Sequence, residues 1–140
     1  MSSVNYNTIW GKIRLRNPQT WSSWSIILPF LKTAKERLEI GPGIFPKFHV
    51  KGTYFLDTSQ NAIEKLSQQG GRGIVLDAEQ NFPFPNDSFD LIGAFEVFEH
   101  LKYPEKTFQE VRRVLKPGGV LLFSVPLHKK YWSSLDKFAG

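Results

Sequence analysis

Leu38-Glu39-Ile40-Gly41-Pro42-Gly43 is an apolar run holding one carboxylate and closed by a glycine turn. With Arg37 in front, it reads as a short strand over residues 37–40 that ends at Gly41. A glycine turn at the end of a strand lets backbone come close to a ligand, because no Cβ atom blocks the approach. Gly-x-Gly alone is a weak signal. A dinucleotide fingerprint needs a third glycine at position 46, and Pro46 stands there, which argues against an NAD or FAD site.

Outward from this turn the chain alternates apolar runs with helix-like segments. Strands are expected over residues 53–56, 72–76, 89–95 and 120–125. A helix is expected over 59–69, with Thr58 or Ser59 as its cap and Gly70-Gly71 as its stop. A second is expected over 105–116, with Phe108, Val111, Val114 and Leu115 on one face and Pro117-Gly118-Gly119 as its end. Residues 120–125 are apolar on both faces, as a strand inside a parallel sheet must be. The alternation predicts an α/β doubly wound domain, whose ligands sit beyond the carboxyl ends of the strands where the strand order reverses. Glu39, Asp57 and Asp77 fall at such ends, and Glu96 follows the strand over 89–95.

The 140 residues make one domain or part of one. A hydrophobic share of 41% against 22% charged excludes a disordered chain. No apolar run has the length of a membrane span, and no secretory signal is visible, so no membrane is expected as partner. Cysteine is absent, which excludes disulfides, thiolate chemistry and Cys-held zinc or iron–sulfur groups, and fits a reducing, cytoplasmic location. Charge is segregated: residues 39–100 hold nine acidic and four basic residues, whereas both flanks are basic. The chemistry is therefore expected in the acidic middle, and the basic N-terminal segment reads as a solvated face rather than a nucleic-acid surface. Residues 1–36 read as a separate segment ahead of the unit at 37–140. They carry Tyr6, Trp10, Trp21 and Trp24. A helix over 21–35, with Trp21, Trp24, Ile27, Leu28 and Leu31 on one stripe and Pro29 interrupting it, would serve as a cover on the sheet or as a lid and substrate wall.

Four stretches in order carry a family resemblance. They are Leu38-Glu39-Ile40-Gly41-Pro42-Gly43; Phe55-Leu56-Asp57-Thr58-Ser59; Leu76-Asp77-Ala78-Glu79 with Phe82-Pro83-Phe84-Pro85-Asn86-Asp87-Ser88-Phe89-Asp90; and Arg113-Val114-Leu115-Lys116-Pro117-Gly118-Gly119. Together they resemble the class I S-adenosylmethionine-dependent methyltransferases, and more narrowly their small-molecule group called type 11. The resemblance covers residues 37–126. It implies a Rossmann-like sheet with parallel strands 1–5, flanking helices and S-adenosylmethionine as cofactor, with S-adenosylhomocysteine as product. It also implies site roles. Gly41, Pro42 and Gly43 would pack on the amino-acid part of the cofactor, with Glu39 attracting its ammonium directly or through water. Asp57, beside Thr58, would accept hydrogen bonds from both ribose hydroxyls. Asp77 and the Ala78 amide would meet the adenine, and Ala94 and Phe95 would line the methionine side.

Two departures stand out. Phe45 replaces a third glycine that many members carry, and Glu39 to Asp57 is short and interrupted by Pro46, so the helix after the glycine turn is expected to be short or irregular. The family's strands 6 and 7 are not visible before Gly140. A truncated sequence, a dimer or partner chain, or residues 127–138 folding back would then account for the exposed edge of strand 5.

Methyl transfer from a sulfonium is an in-line displacement, so the protein's work is chiefly to bring the partners together and exclude water. If Glu96-Val97-Phe98-Glu99-His100 opens a helix, positions 96, 99 and 100 share a face, and His100 is the candidate base. The same spacing resembles a metal-ligand set of some quinone and RNA-end methyltransferases. Lys116 stands where the RNA-end enzymes have a further His, and no metal is expected. His128, after the fifth expected strand, could reach the substrate pocket, although a loop His is usually just solvated. The leading expectation is methyl transfer to a small-molecule acceptor. A cofactor-binding module that is inactive or depends on a partner is one alternative, and an RNA or protein methyltransferase is another.

Overall fold

The computed structural model describes residues 14, 15 and 17–126. The expectations placed on Tyr6, Trp10, His128 and residues 127–138 lie outside them. Five strands form one parallel sheet: β1 (Arg37–Ile40), β2 (Tyr54–Asp57), β3 (Arg72–Val75), β4 (Phe89–Phe95) and β5 (Leu115–Ser124). Their order is β3-β2-β1-β4-β5. The chain steps outward from β1 to β3 and then returns past β1 to β4, so the strand order reverses between β1 and β4.

In-register partners of a parallel sheet share a face. Glu39 lies between Phe55 and Gly93, and Gly93 pairs in turn with Leu122. Onto this face packs α1 (Trp24–Thr33), which buries Ile27 and Leu31 against Leu91 and Phe48. Burying each aliphatic side chain is worth about 1.5–3 kcal/mol. Pro29 lies inside α1 on its exposed side. A 3-10 turn at Pro18–Thr20, capped by Asn17, precedes the helix, so the expected helix over 21–35 is trimmed at both ends. The described part of the N-terminal segment thus covers the sheet. On the same face α2 (Gln60–Gln68) buries Ile63 and Leu66 against Phe55, and its N-cap is Ser59, whose Oγ accepts from the Ala62 amide.

The opposite face presents Leu38, Ile40, Leu56, Ile92 and Ala94. There α3 (Pro104–Val114) packs Val111 and Val114, at the helical spacing the sequence shows. This helix stops two residues earlier than expected. Leu115 already pairs with Phe89, and β5 continues past Lys116-Pro117-Gly118-Gly119 through an irregular register to Val120, which pairs with Leu91. Local helix periodicity includes Leu115, but pairing with β4 takes it into the sheet.

No helix follows the glycine turn. Residues 41–53 form an irregular strap over the first face. Phe48 seats on Gly93, where a Cβ would come within 2.7 Å of its Cζ, so glycine at 93 is what lets the strap lie down. Among the described residues no helix is long and apolar enough to cross a membrane.

Candidate functional site

The ends of β1, β2, β3 and β4 and the turns after them meet along the carboxyl edge of the sheet. Gly41 and Gly43 hold left-handed backbone, with φ 63° and 51°, which glycine adopts without a Cβ penalty. The Gly41 amide donates to Leu56 O at 2.7 Å, tying the turn to β2. Space is tight on the other side, since a Cβ on Gly41 would stand 2.7 Å from Val97 Cγ2. Pro42 and Gly43 are buried.

Asp57, at the end of β2, is 9% exposed. Its Oδ2 accepts from the Gly43 amide at 2.8 Å and its Oδ1 from the Ser59 amide at 2.8 Å. The structure therefore brings Asp57 and the glycine turn into direct contact, and one carboxylate organises both the cradle and the start of α2. Each oxygen still has a second lone pair to offer a ligand. Burial raises the Asp57 pKa, and the amides of Ser59, Gly43 and Thr58 oppose the shift. Thr58 itself is exposed beside it.

Of the two expected modes for Glu39, direct or through water, its placement leaves no direct contact while the strap holds it. It is 1% exposed, and its carboxylate faces the strap. The Lys47 amide donates to both oxygens, at 2.8 and 3.1 Å, and the Phe48 amide to Oε2 at 2.9 Å. Its side chain belongs to the α1-covered face, as strand alternation requires. To touch a ligand the carboxylate would have to leave these amides. Burial pushes its pKa up to about 7 against the lowering effect of both amides.

After β3, Asp77 is exposed and its Oδ1 accepts from the Glu79 amide at 2.9 Å, an Asx turn. Ala78 is buried, and its carbonyl accepts from Thr107 Oγ1 at 2.7 Å. Glu79 accepts from the Tyr103 and Lys102 amides at the start of α3. At the end of β4, Ala94 is fully buried and Phe95 half-buried, with the Phe95 ring edge-on to Trp21 at 5.1 Å.

The expected helix at residues 96–100 is absent. Glu96 turns into left-handed backbone with φ 56°, which costs a non-glycine residue roughly 1–2 kcal/mol. Phe98–His100 is then a single 3-10 turn. Glu96 reaches β5, where Ser124 Oγ donates to its Oε1 at 2.6 Å. His100 Nε2 lies 4.0 Å from Glu99 Oε1. Glu96, Glu99 and His100 therefore do not share a helix face. Among the described residues no group of three or more His, Asp or Glu is placed to hold a metal ion.

Several site-building residues were not singled out from sequence. Arg113 grips Glu110 through Nε and Nη2 at 2.8 and 2.6 Å, and donates to Phe84 O at 2.7 Å and Phe82 O at 3.0 Å. This pins the loop between β3 and β4. The Glu110/Arg113 spacing of three was a readable helix pair. Nothing local marked Val97, Thr107 or Ser124, whose partners lie far along the chain.

The edge offers acceptors and close backbone approach to a ligand. Carboxylates at the ends of β2 and β3 match hydroxyl and amino donors, and the glycine turn admits close approach. A family model described as a methyltransferase domain matches residues 38–123. The chain is 28% identical over 123 residues to an uncharacterized methyltransferase of Schizosaccharomyces pombe, a match covering 74% of this chain and 44% of the relative. It is 30% identical over 95 residues to the chloroplastic 2-methyl-6-phytyl-1,4-hydroquinone methyltransferase 1 of Oryza sativa subsp. japonica, covering 66% of this chain and 29% of the relative. The crystal structure of YcgJ protein from Bacillus subtilis superposes with a TM-score of 0.56 at 28% identity, covering 72% of this chain and 49% of that one. The matched stretch thus spans less than half the length of each of these proteins. With the family model spanning β1 to β5 and the parallel order reversing at the glycine turn, the chain belongs to the methyltransferase-domain family, as a class I, type 11-like member.

Proposed function

We propose that this chain binds S-adenosylmethionine along the carboxyl edge of its sheet and directs the methyl group to a small-molecule acceptor. The observation that carries this reading is the bond from the Gly43 amide to Asp57 Oδ2 at the strand-order reversal. It sets a buried carboxylate beside a left-handed glycine turn where α/β sheets take their ligands. In this reading Asp57, next to Thr58, receives the ribose hydroxyls, and Asp77 and the Ala78 amide meet the adenine. Gly41, Pro42 and Gly43 let backbone close on the amino-acid part, and Ala94 and Phe95 wall the methionine side. Glu39 acts indirectly, by fixing the strap that carries the turn. His100, the last residue of the 3-10 turn after β4, is the candidate proton acceptor. When bound, the cofactor supplies an electrophilic methyl on a good leaving group, so the chain's own task is orientation and exclusion of water. A relative named for a hydroquinone supports a small-molecule acceptor.

Equilibrium dialysis with radiolabelled S-adenosylmethionine tests the reading. Micromolar retention, displaced by S-adenosylhomocysteine, is expected. A folded chain that retains none overturns it.

One observation also favours a covered β5. This strand is a sheet edge among the described residues, and beside it Phe123 and Phe108 are 51% and 40% exposed. A groove of about 480 Å³ there is lined by Val111, Leu115, Pro117 and Leu121 among others. A dimer, a partner chain or further chain would bury this patch. Light scattering of the chain reads this directly, and a monodisperse monomer that binds cofactor argues against dependence on an oligomer.

A further inference from the structure

The cofactor residues proposed above occupy the ends of β1, β2 and β3 and the β4 wall next to them. An acceptor that meets the methyl must then enter over β4 and β5. At that place stands Glu96, the first residue after β4, and three features set it apart. Its backbone is left-handed, with φ 56°, at a position where glycine would fit without penalty. It is exposed, as Asp77 after β3 is, whereas Glu39 and Asp57 at the ends of β1 and β2 are buried. It is held from β5 twice: its amide donates to Ser124 O at 3.0 Å, and Ser124 Oγ donates to its Oε1 at 2.6 Å. Among the described residues Oε2 has no hydrogen-bond partner. A strained, exposed carboxylate aimed by a neighbouring strand is costly for the fold alone, and such strain persists where the surroundings hold it for another purpose.

We infer that Glu96 is the acceptor-recognition residue, and that Oε2 takes a hydrogen bond from a hydroxyl on the acceptor. Resting on the methyltransferase reading, this narrows its acceptor to a neutral small molecule bearing a protic O–H. An acidic acceptor is disfavoured, because its charge would meet the carboxylate. Apolar surface is at hand for the rest of such a molecule, since Phe95 precedes Glu96 and its half-buried ring meets Trp21. Ser124 is a positioning residue that keeps Oε1 occupied and Oε2 outward.

The test titrates methylhydroquinone into the chain, with and without saturating S-adenosylhomocysteine, and reads both affinities. Glu96→Gln keeps the shape and removes the charge, so probe affinity is expected to fall about tenfold. Ser124→Ala is expected to weaken the probe about threefold, while S-adenosylhomocysteine affinity stays within twofold in both variants. Glu96→Gly should abolish probe binding yet melt no lower than the wild type, because glycine relieves the turn. Probe binding that is absent in the wild type, or equal in wild type and Glu96→Gln, overturns the inference. So does a Glu96→Gly chain that melts more than about 3 °C lower, which would make the residue a fold element. Failure to bind S-adenosylhomocysteine while Glu96-dependent probe binding persists would sink the cofactor reading and leave this one standing.

Discussion

The two edges of this sheet use carboxylates in opposite ways. At the amino edge they are paired with cations. Asp90, near the start of β4, takes the Lys35 and Glu36 amides on Oδ2 and Lys116 Nζ at 3.0 Å on Oδ1. Glu110 is clasped by Arg113 over the loop that leads into β4. Both carboxyls are held below their ordinary pKa, Asp90 by the Glu36 amide and then Lys116, Glu110 chiefly by Arg113. At the carboxyl edge Glu39, Asp57, Asp77, Glu79 and Glu96 take backbone amides or a hydroxyl. The Lys47 charge also acts on Glu39, with less effect than the two amides. The two buried ones, Glu39 and Asp57, have raised pKa values because burial outweighs those amides. Ion pairs fasten the scaffold at one edge, and amide and hydroxyl donors hold the carboxylates of the other.

Four variants sharpen or break this contrast. The largest effect is expected at Asp57→Ala, which leaves the Gly43 and Ser59 amides unsatisfied. Stability should fall by about 2 kcal/mol and S-adenosylhomocysteine affinity at least about 100-fold, read by denaturant titration and calorimetry. Glu39 comes next. Its carboxyl is raised from 4.5 to about 7 in the folded chain, so its contribution is fully present below pH 4.5 and is lost as pH rises through about 7. The wild type should therefore be more stable at pH 5.5 than at pH 8, by about 2 kcal/mol. Glu39→Gln should flatten that slope in thermal melts across the window, and an unchanged slope would place the titration elsewhere. Arg113→Ala releases the loop between β3 and β4 and should cost about 1–2 kcal/mol while leaving cofactor affinity within a fewfold. The smallest effect belongs to Asp90→Ala, under about 1 kcal/mol, because the Lys116 pair is partly exposed. For Asp90 and Glu110, held low when folded, the stabilisation is present above about pH 4 and is lost as pH falls further, so these two shape only the acid limb.

Much of this was legible in sequence. The strand positions followed from apolar runs closed by Gly or Asp, and the stop of α2 from Gly70-Gly71, because such signals are local. The irregular strap after β1 was foreshadowed by Pro46 and the short span to Asp57. Long-range partners decided the rest. Leu115 fits the stripe of α3, yet pairing with Phe89 carries it into β5. Glu96-Val97-Phe98-Glu99-His100 has helical spacing, but Ser124 holds Glu96 in a left-handed turn that a glutamate does not advertise. Glu39 looked like a ligand contact because it ends β1, and only the strap shows that its face is the covered one.

The central claim is that ligand binding depends on the carboxyl-edge carboxylates and not on those of the amino edge. Calorimetric titration of S-adenosylhomocysteine into wild type, Asp57→Ala and Asp90→Ala, each confirmed folded by circular dichroism, tests it most directly. The account predicts equal micromolar binding by wild type and Asp90→Ala and no measurable heat with Asp57→Ala. Binding that survives in Asp57→Ala, or that is lost equally from both variants, would contradict it.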